Sequence, residues 1–236
     1  MKKLVLACGI LVSVVSVSLG AMSQEEWDRA RHNCIKNKDK NACQALIDNE
    51  WVSVEQCNVS NCTRMGTLYV RAGRCRESIP YLEKAITLGD DRAYGLLGMA
   101  YGNLQDYYNA KKYDEIMCNK GLGNFISNHF LILNGYSEEN ILQYVLLAQA
   151  ESCVRLGKMY DLGEGVRQDY HKAAELHKKA CDMNSSDGCF FLGYLYYEGK
   201  GVRKNLYTAK QYYGKSCDLG NQMGCFLYEK HNKVEH

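Results

Sequence analysis

Two pairs of cysteines are the residues whose type and spacing most clearly point to chemistry. Cys181 and Cys189 lie eight positions apart around a short polar turn, and Cys217 and Cys225 repeat that spacing 36 residues later. Cysteines at regular spacing either bind a metal or form disulfides. No C-x-x-C pair occurs, and no histidine lies at ligand spacing beside a cysteine pair. The pattern therefore favours structural disulfides, and no metal or other cofactor is expected.

The first 21 residues have the pattern of a secretory signal peptide. A short basic segment precedes the apolar run 4–17, and small residues follow at a position suited to cleavage. The apolar run is too short to span a bilayer comfortably, which takes about 20 residues. We therefore expect residues 1–21 to be removed and the mature chain, 22–236, to be periplasmic or secreted.

Charge and cysteine number narrow the class of protein further. Without Lys2 and Lys3, 27 basic residues stand against 27 acidic ones, so no nucleic-acid partner is expected. No later stretch is apolar enough to span a membrane. Without Cys8, eleven of the twelve cysteines remain. An oxidising compartment accounts for many of them as disulfides, and the odd number leaves at least one unpaired or bonded between molecules.

An internal repeat of 36 residues organises the second half of the chain. Residues 153–188 and 189–224 keep their cysteines, a glycine at 157 and 193, and the turns GEGV and GKGV in register. Apolar and small residues recur at helical spacing before each turn, and glycine ends the first helix. A second helix follows each turn. The unit is predicted to be a helical hairpin.

Weaker copies precede these two strong ones. Residues 62–93 and 94–123 keep the glycine and tyrosine of the repeat, residues 124–149 are predicted to be a degenerate hairpin, and 225–236 a polar C-terminal cap. With a single proline and little alternating β-branched sequence, the chain is predicted to be all-α. Residues 22–236 are expected to form one continuous repeat array.

The repeat register also predicts which cysteines pair. A bond between the end of one repeat and the start of the next would stabilise their interface by about 2–3 kcal/mol. The predicted pairs are Cys34–Cys43, Cys57–Cys62, Cys181–Cys189 and Cys217–Cys225, while Cys75, Cys118 and Cys153 are left unpaired or uncertain. A bond between Cys118 and Cys153 would have to span the degenerate hairpin and is not favoured.

The repeat resembles a known family. The phrase LGxxYxxGxGVxxDxxKAxxxxxKAC is similar to the Sel1-like repeat, a relative of the tetratricopeptide repeat. Together with the cysteine pairs and the N-terminal segment, it resembles the Helicobacter cysteine-rich protein family. The resemblance implies a right-handed α/α superhelical solenoid, here of five to six hairpins, with disulfides between consecutive repeats. It also implies a penicillin-binding or weak β-lactamase activity.

The residues themselves do not supply that activity. A serine β-lactamase requires S-x-x-K and K-T-G, and neither occurs. The six histidines are scattered, no H-E-x-x-H is present, and His171 and His177 are predicted to be solvated. The favoured function is an exported scaffold that binds a protein, peptide or cell-wall ligand. The alternative is a penicillin-binding protein or weak β-lactamase, with a peptidoglycan fragment or β-lactam as ligand.

A ligand groove is expected on the first helices of the hairpins, which line the concave face of such solenoids. Leu192, Gly193 and Tyr196 are predicted to pack within the array. Residues offset from them should face the groove, and exposed tyrosine is an efficient contact residue. The groove candidates are Thr67, Val70, Arg71, Met99, Val154, Lys158, Phe190, Tyr194 and Tyr197.

Overall fold

The chain is built from α-helices joined by short connections. The computed structural model describes residues 22–50, 52–120 and 138–232, so the predicted signal segment, part of the predicted degenerate hairpin and the last four residues of the predicted cap lie outside it. The described residues contain no strand. Their eleven helices are α1 (Gln24–Lys36), α2 (Lys40–Glu50), α3 (Val59–Arg71), α4 (Cys75–Thr87), α5 (Arg92–Asn103), α6 (Tyr107–Asn119), α7 (Glu138–Leu162), α8 (Tyr170–Asp182), α9 (Ser186–Glu198), α10 (Leu206–Asp218) and α11 (Gln222–Asn232).

Side-chain caps fix where most of these helices begin. Ser23 forms a capping box with Glu26 at the start of α1. At other starts a side-chain oxygen accepts a hydrogen bond from the backbone N–H three residues later. Such caps satisfy N–H groups that have no partner within the helix. These residues are Asn58, Asp106, Asp169, Ser185 and Asn205.

Consecutive helices pack as antiparallel hairpins along the chain. The hairpins are α3–α4, α5–α6, the C-terminal half of α7 with α8, and α9–α10. The turns inside the first two span 72–74 and 104–106, and those inside the last two span 163–169 and 199–205. The array is thus an α/α solenoid of helical hairpins, as the sequence predicts.

In each of these hairpins the two helices approach most closely at a glycine of the first helix. Facing that glycine is the eighth residue of the second helix. A Cβ added to the glycine would lie within 3.0 Å of the facing side chain, so only glycine permits the approach. The glycine and its facing residue are Gly66 with Leu82, Gly98 with Asp114, Gly157 with His177, and Gly193 with Tyr213.

The two layers of the solenoid differ in how closely their helices approach. Successive first helices contact one another, from α3 to α5, α5 to α7, α7 to α9 and α9 to α11. No successive pair of second helices among the described residues has comparable contact. The first helices therefore form the tighter layer of the stack.

Five disulfides cross-link the helices. They are Cys34–Cys43, Cys57–Cys62, Cys118–Cys153, Cys181–Cys189 and Cys217–Cys225. Four of them are the pairs that the repeat register predicts.

The bond between Cys118 and Cys153 differs from the sequence expectation. Cys118 is the next-to-last residue of α6, as Cys181 is of α8, and Cys153 lies four residues before its hairpin glycine, as Cys189 does. The bond thus has the same place in the repeat, although 35 residues separate the two cysteines instead of eight. Cys75, at the start of α4, is buried and has no disulfide.

The long helix α7 also differs from the expected hairpin boundary. Residues 138–149 do not end a separate hairpin but form the first half of α7, which runs unbroken for 25 residues to Leu162. Only its second half occupies the place of a first helix. No helix in the described ranges is both long and apolar enough to cross a bilayer.

Candidate functional site

The structure places the predicted groove residues along α3, α5, α7 and α9. Val70 and Val154 do not face a groove, because only 6% and 5% of their surfaces are exposed. They belong to the core instead, since their side chains point between the helices. The other candidates are partly exposed: Thr67, Arg71, Met99, Lys158, Phe190, Tyr194 and Tyr197.

Thr67 and Arg71 line a cleft at the N-terminal end of the array. The cleft has a volume of about 440 Å³, within the size range of ligand sites. On one wall, Trp27, Arg31 and Ile35 are spaced four residues apart on α1 and so share one face of that helix. The opposite wall is the face of α3 that carries Arg64 as well as Thr67 and Arg71.

The indole of Trp27 organises the charged side chains of this cleft. The guanidinium of Arg31 lies 5.4 Å from the centre of the ring, and that of Arg64, from the opposite wall, lies 5.2 Å away. Both distances fit cation–π contacts. Arg71 donates a hydrogen bond to the carbonyl oxygen of Ile35 at 3.0 Å. Contacts from α3 to α1 thus hold the arginines in place.

A fourth arginine lies against a buried carboxylate. Arg92 donates from two nitrogens to the two oxygens of Asp90, at 2.8 and 2.5 Å, and Thr63 donates its hydroxyl to the same carboxylate at 2.5 Å. The side chain of Asp90 is only 2% exposed. The buried carboxylate of Asp90 therefore neutralises the charge of the Arg92 guanidinium.

We call this site the arginine cleft, defined by Trp27, Arg31, Arg64, Thr67, Arg71 and Arg92. No aspartate or glutamate is among the described residues that line it. The sequence reasoning named Thr67 and Arg71 but missed the tryptophan and the other arginines. The spacing of Trp27, Arg31 and Ile35, and of Arg64 and Arg71, was the available signal.

The candidates near the other end of the array pack against neighbouring rings and lysines. Phe190 lies with its ring centre 5.2 Å from that of Phe191, and the ring of Tyr197 lies 5.1 Å from that of His231 on α11. The Tyr194 hydroxyl accepts a hydrogen bond from Lys200 at 3.3 Å. These residues form a partly exposed aromatic surface.

Lys158 and Met99 complete the candidate set. The ammonium group of Lys158 lies 4.4 Å from the centre of the Phe191 ring, so this lysine caps the aromatic surface. Met99 on α5 packs against the N-terminal core. In sequence, Met99 lies between the cleft residues of α3 and the aromatic surface of α9.

His177 contradicts the prediction that it is solvated. Its side chain is completely buried, stacked on Phe191 at 5.1 Å, and neither ring nitrogen has a hydrogen-bond partner. Burial, and secondarily the charge of Lys158, lowers the pKa of His177 to about 3. The imidazole is therefore neutral and acts as an aromatic core residue. His171, six residues earlier on α8, is exposed as expected.

The equivalent position in the preceding hairpin holds a buried ion pair. Asp114, whose side chain is 1% exposed, accepts hydrogen bonds from Arg155 at 2.6 to 3.2 Å. Burial raises the pKa of Asp114, while the charge and hydrogen bonds of Arg155 oppose that rise. Arg155 also donates to the carbonyl oxygen of Gly95. The pair thus ties α5, α6 and α7 together.

The described residues contain no group of three or more His, Cys, Asp or Glu side chains that could hold a metal ion. Nothing among them favours a β-lactam or a peptidoglycan fragment over a protein or peptide as ligand. The arrangement offers charge, aromatic surface and hydrogen-bond donors, which are means of binding.

These features define a disulfide-linked helical-hairpin repeat protein, and comparison with known proteins assigns the repeat. The Sel1 repeat family matches residues 150–185 and 186–221, and the tetratricopeptide repeat matches residues 91–113. Helicobacter pylori cysteine rich protein B is 31% identical over 54% of this chain and 98% of that protein, with a TM-score of 0.34. The chain belongs to the Sel1 repeat family.

Two other solved structures are similar over part of the chain. A Sel1 repeat protein from Oxalobacter formigenes is 22% identical over 54% of this chain and 98% of that one, with a TM-score of 0.34. The protective antigen c5321 of uropathogenic Escherichia coli, described as having an SLR fold, is 19% identical over 86% of this chain and 47% of its own, with a TM-score of 0.35. No curated protein matches.

The assigned repeats have a general role. Sel1 and tetratricopeptide repeats commonly mediate protein–protein interaction, and the disulfides suit an extracellular or periplasmic protein.

Proposed function

We propose that the protein is exported by its N-terminal segment and binds another protein or a peptide on the face formed by its first helices. We call this surface, on α3, α5, the second half of α7, and α9, the first-helix face. The observation that carries the proposal is the tighter layer of the solenoid: among the described residues, successive first helices are in closer contact than successive second helices. A stack that is close on one side curves towards that side, which supports a concave binding surface.

The residue types on this face support the same function. Arginine, tryptophan and tyrosine dominate the energetics of protein interfaces. Arg64 and Arg71 lie on α3, Tyr194 and Tyr197 lie on α9, and Trp27 borders this face from α1. Tyrosine and tryptophan offer large contact areas with few rotatable bonds. A rigid scaffold would lose little further entropy on binding, because the disulfides fix its helices.

Selection of peptides from a displayed random library tests the proposal. The library is panned on the oxidised mature chain, and the affinity of enriched peptides is measured for two double variants. Tyr194→Ala with Tyr197→Ala alters the first-helix face. Tyr108→Ala with Tyr207→Ala removes two tyrosines that are 79% and 67% exposed on the second helices.

We expect at least some enriched peptides to lose about tenfold or more in affinity for the first variant and to bind the second like the parent protein. Equal loss for both, or loss only for the second variant, would contradict a binding role of the first-helix face. Melting temperatures of all proteins serve as the control for folding.

Thiol accessibility tests export. Expressed with residues 1–21 in a cell with an oxidising envelope, the chain should yield one alkylatable thiol after denaturation, because ten cysteines form disulfides and Cys75 does not. The same chain expressed without residues 1–21 should yield many more. Equal labelling of the two forms would argue against export through this segment.

A further inference from the structure

We infer that a second cleft, at the start of the second helices of the Sel1 half, binds a neutral and extended polysaccharide chain along a row of exposed aromatic rings. This inference goes beyond the proposed function, because it concerns another surface and another class of ligand. A cleft, a row of rings and a balance of charge coincide at this place.

The second cleft is formed by the long turns of the Sel1 half. It has a volume of about 680 Å³, within the size range of ligand sites. Lys111 on α6, Tyr160 near the end of α7 and the first two residues of α8 line it. The turn 163–169 contributes residues 166–169, and the turn 199–205 contributes Gly201. Two consecutive repeats therefore build one site.

A row of exposed rings crosses this cleft. The second residue of a second helix is Tyr108 in α6, His171 in α8 and Tyr207 in α10, and all three are exposed. Tyr108 and Tyr207 are 79% and 67% exposed, more than any other large hydrophobic residue that the structure describes. His171 lines the cleft itself, Lys111 follows Tyr108 by one helical turn, and Gly201 belongs to the turn that leads to Tyr207.

The charges around the second cleft balance one another. Lys111 forms an ion pair with Glu115 at 2.9 Å. Arg167 and Asp169 add one charge of each sign to the lining. Neither an anionic nor a cationic ligand would gain much from the field of such a site, so the cleft is suited to a neutral ligand.

Planar polar groups at the cleft can bind hydroxyl groups. The Nε2 of Gln168 donates to the carbonyl oxygen of Asp161 at 2.7 Å, and the Oδ1 of Asp169 accepts the N–H of Lys172 as the cap of α8. These bonds orient both side chains. The amide oxygen of Gln168 and the second carboxylate oxygen of Asp169 remain as acceptors for a ligand.

A chain of pyranose sugars matches the rings and the polar groups together. The face of an aromatic ring carries partial negative charge and attracts the C–H groups of a sugar ring, while hydroxyl groups at the sugar's edge bind planar polar side chains. Tyr108 and Tyr207 lie on second helices two hairpins apart. Because even helices in contact have axes about 8–10 Å apart, these rings are about 20 Å or more from each other. An extended chain, such as a β-(1→4)-linked glucan, can reach both.

Isothermal titration calorimetry with defined oligosaccharides tests the inference. The probe is cellohexaose, and its matched control is maltohexaose, which has the same composition but an α-(1→4) linkage that makes the chain coil. With the oxidised mature chain we expect cellohexaose to bind about tenfold or more tightly than maltohexaose. It should exceed cellobiose by a similar factor, because the disaccharide is too short to reach two rings.

Three double variants locate the binding. Tyr108→Ala with Tyr207→Ala removes the two exposed rings and should weaken cellohexaose binding about tenfold or more. Tyr108→Phe with Tyr207→Phe keeps the ring faces and should bind like the parent protein. Tyr194→Ala with Tyr197→Ala, on the first-helix face, should also bind like the parent. Similar melting temperatures would show that all three variants are folded.

The inference is overturned if cellohexaose does not bind at about 1 mM, or if maltohexaose or cellobiose binds equally well. It is also overturned if the alanine variant of Tyr108 and Tyr207 keeps its affinity, or if either of the other two variants loses as much. The proposed function is judged separately, because library peptides that depend on Tyr194 and Tyr197 would support it whatever the result with cellohexaose.

Discussion

The two halves of the array build the same hairpin with different connections. In α3–α4 and α5–α6 the helices are joined by three-residue turns, and the tetratricopeptide repeat matches residues 91–113 of the second of these hairpins. In α7–α8 and α9–α10, the Sel1 repeats, the turns have seven residues. The facing glycine and eighth residue nevertheless keep their contact in both halves. The four extra residues therefore do not alter the packing inside a hairpin.

The longer turns act between hairpins instead. Gly165 lies against Tyr107, the first residue of α6, and Gly201 lies against Tyr170, the first residue of α8. Each seven-residue turn thus reaches back to the second helix of the preceding repeat. The turns of the Sel1 half thus add contacts to the second helix of the preceding hairpin, and the three-residue turns of the N-terminal half do not have this length.

The largest expected effect lies at the boundary between the halves. Replacing both Cys118 and Cys153 by serine opens a loop of 35 residues, and replacing both Cys181 and Cys189 opens one of eight. In the chain-entropy account the first bond contributes about 4 kcal/mol and the second about 2.5 kcal/mol. All four sulfurs are fully buried, so the side-chain change costs the same in both. Urea unfolding measures the difference, and equal losses would contradict it.

A second boundary contact should cost slightly less. Arg155→Ala leaves the buried carboxylate of Asp114 without its partner and is expected to lower the free energy of unfolding by about 3–4 kcal/mol. Adding Asp114→Leu introduces the residue that faces the glycine in α3–α4 and should restore most of the loss. Chemical denaturation of the single and double variants checks this. A double variant no more stable than Arg155→Ala would show that leucine cannot replace Asp114 opposite Gly98 as Leu82 packs opposite Gly66.

Lowering the pH should destabilise the Sel1 half through His177, and the N-terminal half has no buried histidine among its described residues. Its pKa is about 3 in the folded protein and about 6.5 when unfolded. Between these values the unfolded chain binds a proton that the folded chain does not, so stability is fully present above pH 6.5 and falls as the pH decreases towards 3. At pH 4.5 the loss should be roughly 3 kcal/mol.

Variants on α8 isolate this effect. His177→Leu should remove that part of the pH dependence, while His171→Gln, at an exposed position of the same helix, should keep it. Denaturation at pH 7.5 and 4.5 gives the comparison. An unchanged pH dependence in His177→Leu would assign the acid sensitivity to other groups.

The smallest effect tests the reach of the seven-residue turns. Gly201 and Gly220 both have positive φ, 66° and 91°, but a Cβ on Gly201 would lie 2.2 Å from the backbone of Tyr170, whereas nothing lies within 4 Å of one on Gly220. Gly220→Ala should cost about 1 kcal/mol of backbone strain and Gly201→Ala about 2 kcal/mol or more. Similar melting temperatures for the two would mean that the turn does not press on the preceding repeat.

Much of the fold could be predicted from sequence because each repeat carries its own local signals. The glycine in the first helix, the Gly-x-Gly turn and the cysteine at fixed register identify hairpins without any long-range information. The pairing of Cys118 with Cys153 could not be predicted from the repeat register, because the register relates cysteines through a fixed separation in sequence. Their bond requires that two helices come together in space although 35 residues of sequence separate the two cysteines.

The burial of His177 and the composition of the arginine cleft could not be predicted from the sequence for related reasons. His177 is buried because Gly157, in another helix, leaves room for its ring, and no pattern within α8 reports that. The tryptophan and arginine of α1 lie before the first recognisable repeat, so no register related them to Arg64 on α3. Side chains brought together from different helices are the part that local periodicity does not determine.

The buried thiol of Cys75 has a consequence for oxidative folding. Every disulfide joins cysteines that are neighbours in the order of the described chain, with Cys75 left out between Cys62 and Cys118. An oxidant that paired thiols strictly in order of emergence would join Cys75 to Cys118, shift every later pair by one cysteine, and leave Cys225 alone. Without later thiol–disulfide exchange, native pairing of the whole Sel1 half therefore requires that the α3–α4 hairpin fold, and bury the Cys75 thiol, before the next cysteine is oxidised.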